Sequence, residues 1–183
     1  MTRPMRILLV VGVLLAVLVA GVAGWRLWSA RNAPPPAVAV DSTQTGVRAM
    51  TLYFADERGD SLVAETREMI ESEDVHGLVS ALVVALAKGP ARRGTGVLPP
   101  GTTVVHAYLD DRGLLTLDLS RAFQQGFQGG SRAEELAVGS LVRTLGANVP
   151  EVKHVLVVIG GAPVASLAGH VPLDQPLDIQ DWP

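Results

Sequence analysis

Apolar positions divide the chain into two unequal parts. Ile7 to Gly24 is an unbroken run without one charge or hydroxyl, whereas beyond Asn32 apolar residues recur in short patches punctuated by glycine and proline. Met50 to Ala55 reads as a strand, Asp56-Glu57-Arg58-Gly59-Asp60 as a turn and Ser61 to Glu65 as the returning strand, with glycine where a hairpin loop needs positive φ. Asp74 is placed to cap a helix from Val75 to Lys88. Leu78, Val79, Leu82, Val83, Val84 and Leu86 make that helix apolar over much of its circumference, so heavy burial is expected. Gly89 and Pro90 end it, one by taking a left-handed cap and the other by breaking the ladder.

Leu98-Pro99-Pro100-Gly101-Thr102 then turns the chain into a second hairpin, Val104 to Leu109 and Leu114 to Leu119, around Asp110-Asp111-Arg112-Gly113. Leu115, Leu117 and Leu119 alternate with Thr116, Asp118 and Ser120, the period of a half-buried strand. Ser131-Arg132-Ala133-Glu134 has capping-box spacing, and the helix it opens carries Val138, Leu141, Val142 and Leu145 on one stripe before stopping at Gly146 to Asn148. His154 to Ile159 is a β-branched run of the kind found in a central strand covered on both faces. Pro172, Pro176 and Pro183 argue against a helix in the tail.

The order hairpin, α, hairpin, α, β predicts an α+β two-layer sandwich, a small mixed sheet with two helices on one face, preceded by one transmembrane helix. The expected division is a short cytoplasmic arm (1–6), an anchor (7–28), a Pro-rich linker (29–47), a folded domain (48–173) and an extended tail (174–183).

The anchor follows from length. Eighteen apolar residues span about 27 Å as a helix, close to the hydrocarbon thickness of a bilayer. Arg3 and Arg6 precede the run and Trp25 and Trp28 follow it, at headgroup level. The alternative is a cleaved secretory signal, for which Gly21-Val22-Ala23 has the small-x-small pattern. Pro34-Pro35-Pro36 makes the linker extended, holding the domain off the membrane. The short N-terminal arm favours the amino terminus inside and the domain outside the cytoplasm.

Charge sharpens this picture. Four of the 15 Lys and Arg residues precede Ala33 and none of the 18 Asp and Glu does, so the remainder carries 11 against 18, net −7. That balance argues against nucleic acid and against long-range attraction to anionic polymers. The chain has no cysteine, which removes disulfides, thiol nucleophiles and a lipid-bearing cysteine together.

Several groups of residues are similar to the GerMN domain of bacterial sporulation and germination proteins. They are Leu52-Tyr53-Phe54, the helix closed by Gly89-Pro90, Leu98 to Thr102, Asp118-Leu119-Ser120 with Phe123, and Gly130-Ser131 with Glu134 or Glu135. Thr144-Leu145, Pro150-x-Val152 and Val155-x-Val157 up to Gly160 complete the order. The resemblance covers roughly Arg48 to Leu173. It implies a non-enzymatic module whose fold looks like the ring-building motif of secretion-system rings. The founding member is an anchored extracytoplasmic protein of spore development that carries two tandem copies and a lipid, whereas this sequence shows one copy and no cysteine. A sporulation role therefore does not transfer with the domain type.

Candidate chemistry is sparse. His76, His106, His154 and His170 lie far apart and in no metal-ligand spacing. Ser120 after Asp118 suggests a nucleophile and acid, but without a Gly-x-Ser-x-Gly elbow it reads as a polar strand end. Asp110-Asp111 and Asp56-Glu57-Asp60 lack the alternating ligands of a calcium loop and suit hairpin turns. Gly129-Gly130-Ser131 at a helix start suits an anion, but without Lys or a full phosphate-loop pattern helix capping is the better reading. Arg92-Arg93 is the sole basic doublet after the linker.

No catalytic, cofactor or metal residue is therefore assigned. The expected function is a membrane-anchored extracytoplasmic interaction or scaffold module of the bacterial envelope, not an enzyme. Its partners are the lipid bilayer through residues 7–24 and envelope proteins or a second copy, with no nucleic acid. The alternative is a peptidoglycan-binding or cell-wall-processing protein.

Overall fold

The computed structural model describes residues 46–182. The expected anchor lies outside them, as does the linker except for its last two residues. Among the described residues no helix is long and apolar enough to cross a membrane.

The element order is β1 (Val47–Ala55), β2 (Leu62–Ile70), α1 (Val75–Ala87), β3 (Val104–Leu109), β4 (Leu114–Leu119), the short α2 (Ala122–Gln125), α3 (Ser131–Asn148), β5 (His154–Ile159), β6 (Ala162–Pro163) and β7 (Leu177–Asp178), then a 3-10 turn (Ile179–Asp181). This is the expected α+β succession, with one difference in how the strands join. Instead of a single mixed sheet there are two. β1 and β2 pair only with each other, while β3, β4, β5 and β6 follow in order with β7 also on β5. The larger sheet is mixed, since β4 and β5 run parallel and its other pairs antiparallel.

The hairpin stays separate because α3 takes its free edge. Thr51, Tyr53 and Ala55 turn their backbone groups away from β2. Thr51 N–H donates to Asn148 Oδ1 (2.9 Å) and Asn148 Nδ2 donates back to Thr51 O (2.7 Å). Tyr53 N–H donates to Thr144 Oγ1 (3.1 Å), and Ser140 Oγ donates to Tyr53 O (2.5 Å). Ala55 exchanges both its bonds with Thr95. Ser140, Thr144 and Asn148 are spaced by four, one stripe of a helix, and all three are buried. They do for β1 what a third strand would do.

The core lies between the two sheets and the helices. Met50, Leu52 and Phe54 of β1, Leu115, Leu117 and Leu119 of β4, Val155, Val157 and Ile159 of β5, and Val138, Leu141, Val142 and Leu145 of α3 join one cluster with α1. α1 packs over β3 and α3 against β1. Asp74 caps α1, its Oδ1 accepting from Gly77 N–H at 2.7 Å, and Gly89 closes it with φ +84°.

α1 is heavily buried as expected, with Val84 the exposed exception among its named apolar residues. Three expectations change. β2 runs on past Glu65 to Ile70, because β1 already begins at Val47 and offers nine partners. β5 is covered on one face only, its His154, Leu156 and Val158 being half-exposed. The expected extended tail is part of the fold: β7 pairs with β5, and Ile179 and Trp182 rest on α3. A Cβ at Gly139 would stand 2.8 Å from the Trp182 ring, and one at Gly146 2.5 Å from Ile179 Cγ2, so both helix glycines make room for the tail.

The capping box also gives way. α3 starts at Ser131 with Gly130 as its cap, and no side chain caps it. Glu134 turns inward, where it is fully buried and accepts from Leu167 N–H (2.8 Å) and His170 N–H (3.0 Å), with His170 Nδ1 at 3.2 Å. A carboxylate gains more from several converging N–H groups than from one free donor at an exposed helix end. Burial opposes its ionisation, but the N–H groups of the 167–171 loop outweigh this and hold the carboxyl below its ordinary value.

Ser131→Ala should therefore leave the denaturant midpoint nearly unchanged, while Glu134→Ala, which strands buried donors, should cost about 2–4 kcal/mol. With its folded pKa depressed, Glu134 contributes stability that is complete above the ordinary value of 4.5 and is lost as pH falls through the folded value. Acid unfolding followed by circular dichroism should accordingly be shallower in Glu134→Gln than in the native chain.

Candidate interaction surface

Asp56, Asp110, Asp118 and Ser120, all weighed for chemistry, are occupied by the backbone. Asp56 Oδ1 accepts from Asp60 N–H at 2.8 Å, and Asp110 Oδ1 from Leu114 N–H at 2.8 Å and Arg112 N–H at 2.9 Å. Those bonds, led by Asp60 and Leu114, hold both carboxyls below their ordinary value, as the capping of Gly77 does for Asp74. Asp118, expected on the polar outer face, is buried and accepts from Gly161 N–H at 3.0 Å. Ser120 Oγ accepts from Thr103 N–H at 3.1 Å, so serine and aspartate serve different loops.

The histidines divide in the same way. His76 and His106 bring their ring centroids to 6.5 Å, His154 Nε2 lies 3.6 Å from Asp178, and His170 meets Glu134. Among the described residues no group of three or more His, Cys, Asp or Glu could hold a metal ion.

A cleft of about 740 Å³ opens between the β1–β2 turn, residues 95–100 and the start of α3. Val97, Leu98, Phe127 and Leu136 supply its apolar lining, and its ionisable side chains are Glu57, Arg58 and Arg132. Arg132 is already engaged with Glu135 (2.7 Å) and with the carbonyl of Asp60. With one carboxylate, the cleft lacks the pair that glycoside hydrolysis uses.

The Arg92-Arg93 loop is built differently. Val63, Glu65, Arg67 and Met69 alternate along β2 on the side of Leu52 and Phe54. Arg67 lies 5.6 Å over the Phe54 ring, is ion-paired with Glu65, and donates from its guanidinium to Gly89 O at 3.2 Å. Glu65 Oε2 accepts from Ala91 N–H (3.0 Å) and Arg92 N–H (3.1 Å). Burial raises the Glu65 carboxyl pKa, but Arg67 and these amides prevail and keep it below its ordinary value. The Thr95 pairing with Ala55 fixes the far end. The result is a rigid loop with Arg92 and Arg93 exposed between two tethers.

The Glu65–Arg67 pair is not legible in the sequence pattern, because the returning strand reads as ending at Glu65. The available signal was two opposite charges at alternate positions among apolar residues. Around the loop, the 35 residues from Val75 to Leu109 hold Lys88, Arg92 and Arg93 and no acid, and they present Val84, Val105 and Tyr108 to solvent.

The family model described as Germane: Sporulation and spore germination matches residues 51–165, from within β1 to just past β6. The chain belongs to this family. Its fold is similar to the tandem GerMN domains of the sporulation protein GerM from Bacillus subtilis, with TM-score 0.60 and 22% identity over 74% of this chain and 48% of that one. This chain thus spans about half the length of that tandem protein. The first GerMN domain of the same protein matches with TM-score 0.60 and 21% identity, over 73% of this chain and 99% of that one. A candidate lipoprotein of Clostridium perfringens matches with TM-score 0.52 and 21% identity, over 74% and 90%. No curated protein matches. The GerMN resemblance seen in the residues is thereby shown, and within the Germane family the matched region takes in both hairpins and both long helices.

If Glu65 fixes the loop, Glu65→Ala should make it the first point of tryptic attack. Limited digestion should cleave after Arg92 or Arg93 several-fold faster than in the native chain, with the rest of the domain cut at the native rate.

Proposed function

We propose that this Germane-family chain is a membrane-anchored extracytoplasmic interaction module of the bacterial envelope and acts by association rather than catalysis. One observation carries the reading. The carboxylates of Asp56, Asp110, Asp118 and Glu134, the Ser120 hydroxyl and the Glu65–Arg67 pair fix turns and loops, while Arg92 and Arg93 are exposed on an acid-free stretch that also shows Val84, Val105 and Tyr108 to solvent. Such a surface suits contact with a protein and offers no nucleophile with a base beside it. The run from Ile7 to Gly24 supports an anchor in the cytoplasmic membrane with the amino terminus inside. Confinement to a plane would raise the effective concentration of a domain whose single contacts are weak.

The full chain should stay in the membrane fraction through carbonate washing, and formaldehyde applied to intact cells should shift it into larger species. The wall-processing alternative makes the opposite forecast: the chain would hydrolyse peptidoglycan, and Glu57→Gln, Asp118→Asn or Ser120→Ala would abolish this without unfolding the domain. That outcome would replace the association reading.

A further inference from the structure

A second cleft, of about 540 Å³, lies where the tail returns to α3. Its apolar floor includes Val171, Leu177 and Trp182, and three carboxylates, Glu135, Asp178 and Asp181, stand around it. Arg132 pairs with Glu135 at 2.7 Å and His154 approaches Asp178 at 3.6 Å, so the cleft keeps negative charge in excess. The Arg92-Arg93 loop has the complementary character. Glu65 is consumed by Arg67 and by backbone amides, and among the described residues neither exposed guanidinium has a carboxylate partner. Lys88 and exposed Val84 border a small apolar recess beside it.

We propose that the Arg92-Arg93 loop of one copy of this chain docks into the tail cleft of a second copy. This deepens the association reading, on which it rests, by naming partner and surfaces. Charge complementarity selects the partner, an arginine-bearing, acid-free stretch meeting a cleft of mixed lining that carries three carboxylates. The loop is tethered at both ends, by Glu65 and by the Thr95 pairing, which lowers the ordering entropy that opposes docking. The two surfaces share no residue, so each copy keeps a free loop or a free cleft after pairing, and the contact can repeat from copy to copy.

The chain's lack of cysteine makes a direct test available. Two differently tagged full-length versions, one with Ala91→Cys and one with Gln175→Cys, are expressed together in cells and treated with a short bis-maleimide. A mixed dimer should form, and neither version alone should crosslink. Arg92→Glu with Arg93→Glu on the first version should lower the yield about tenfold, equivalent to about 1.4 kcal/mol. Glu135→Arg with Asp181→Arg on the second should restore it, which a folding defect would not permit.

A mixed dimer indifferent to either charge reversal would overturn the proposal. So would its absence while formaldehyde still captures larger species, a result that leaves the association reading standing. If the Glu substitutions instead weaken binding of the full chain to phosphatidylglycerol vesicles and leave crosslinking unchanged, the loop serves a lipid surface and the proposal fails.

Discussion

Strand β1 has its apolar face in the core and one edge on β2, which leaves the N–H and C=O groups of Thr51 and Tyr53 facing away from any strand. Buried backbone groups left unpaired cost about as much as a lost hydrogen bond each. Ser140, Thr144 and Asn148 of α3 supply the missing partners with four hydrogen bonds. This constraint explains why polar residues occupy a fully buried stripe of a helix whose neighbouring stripe is Val138, Leu141, Val142 and Leu145. It also fixes the distance and rotation of α3 relative to the hairpin, and other parts of the fold are set from there.

The same helix holds the C-terminal segment. Glu134 gathers the 167–171 loop, while Gly139 and Gly146 admit Trp182 and Ile179. Each interior glycine costs the helix about 1 kcal/mol relative to alanine, a penalty offset here by close packing of the tail. The hairpin in turn carries Glu65 and Arg67, which tether the Arg92 loop. Buried and half-buried polar side chains thus form a relay from α3 through β1 and β2 to an exposed basic loop. They determine where the exposed surfaces stand.

Periodicity made much of this legible. The second hairpin, Val104 to Leu119, has the boundaries that its alternation gives, and Asp74 and Gly89 end α1 as cap chemistry requires. The residues failed where one pattern served two purposes. Ser131 to Glu134 fits a capping box, but that reading considers only local donors, and Glu134 found better ones more than 30 residues away. β2 reads as ending at Glu65 because charged residues follow, yet its partner strand and the Phe54 ring accommodate Arg67. Proline in the tail correctly argued against an α-helix without showing that a strand and a 3-10 turn would dock there. Helix glycines at Gly139 and Gly146 were the sign that something comes close, and the spacing of Ser140, Thr144 and Asn148 was the sign that it is a strand edge.

The account stands on α3 replacing a strand at the edge of β1, and backbone hydrogen exchange on the native chain tests this most directly. The register places Thr51 and Tyr53 amides toward α3, and Thr66 and Glu68 amides on the open edge of β2. Thr51 and Tyr53 should exchange as slowly as Leu117 and Leu156 in the central strands, and Thr66 and Glu68 far faster. Exchange at Thr51 and Tyr53 as rapid as at Thr66 and Glu68 would mean that the helix does not close that edge, and the relay built on it would fail.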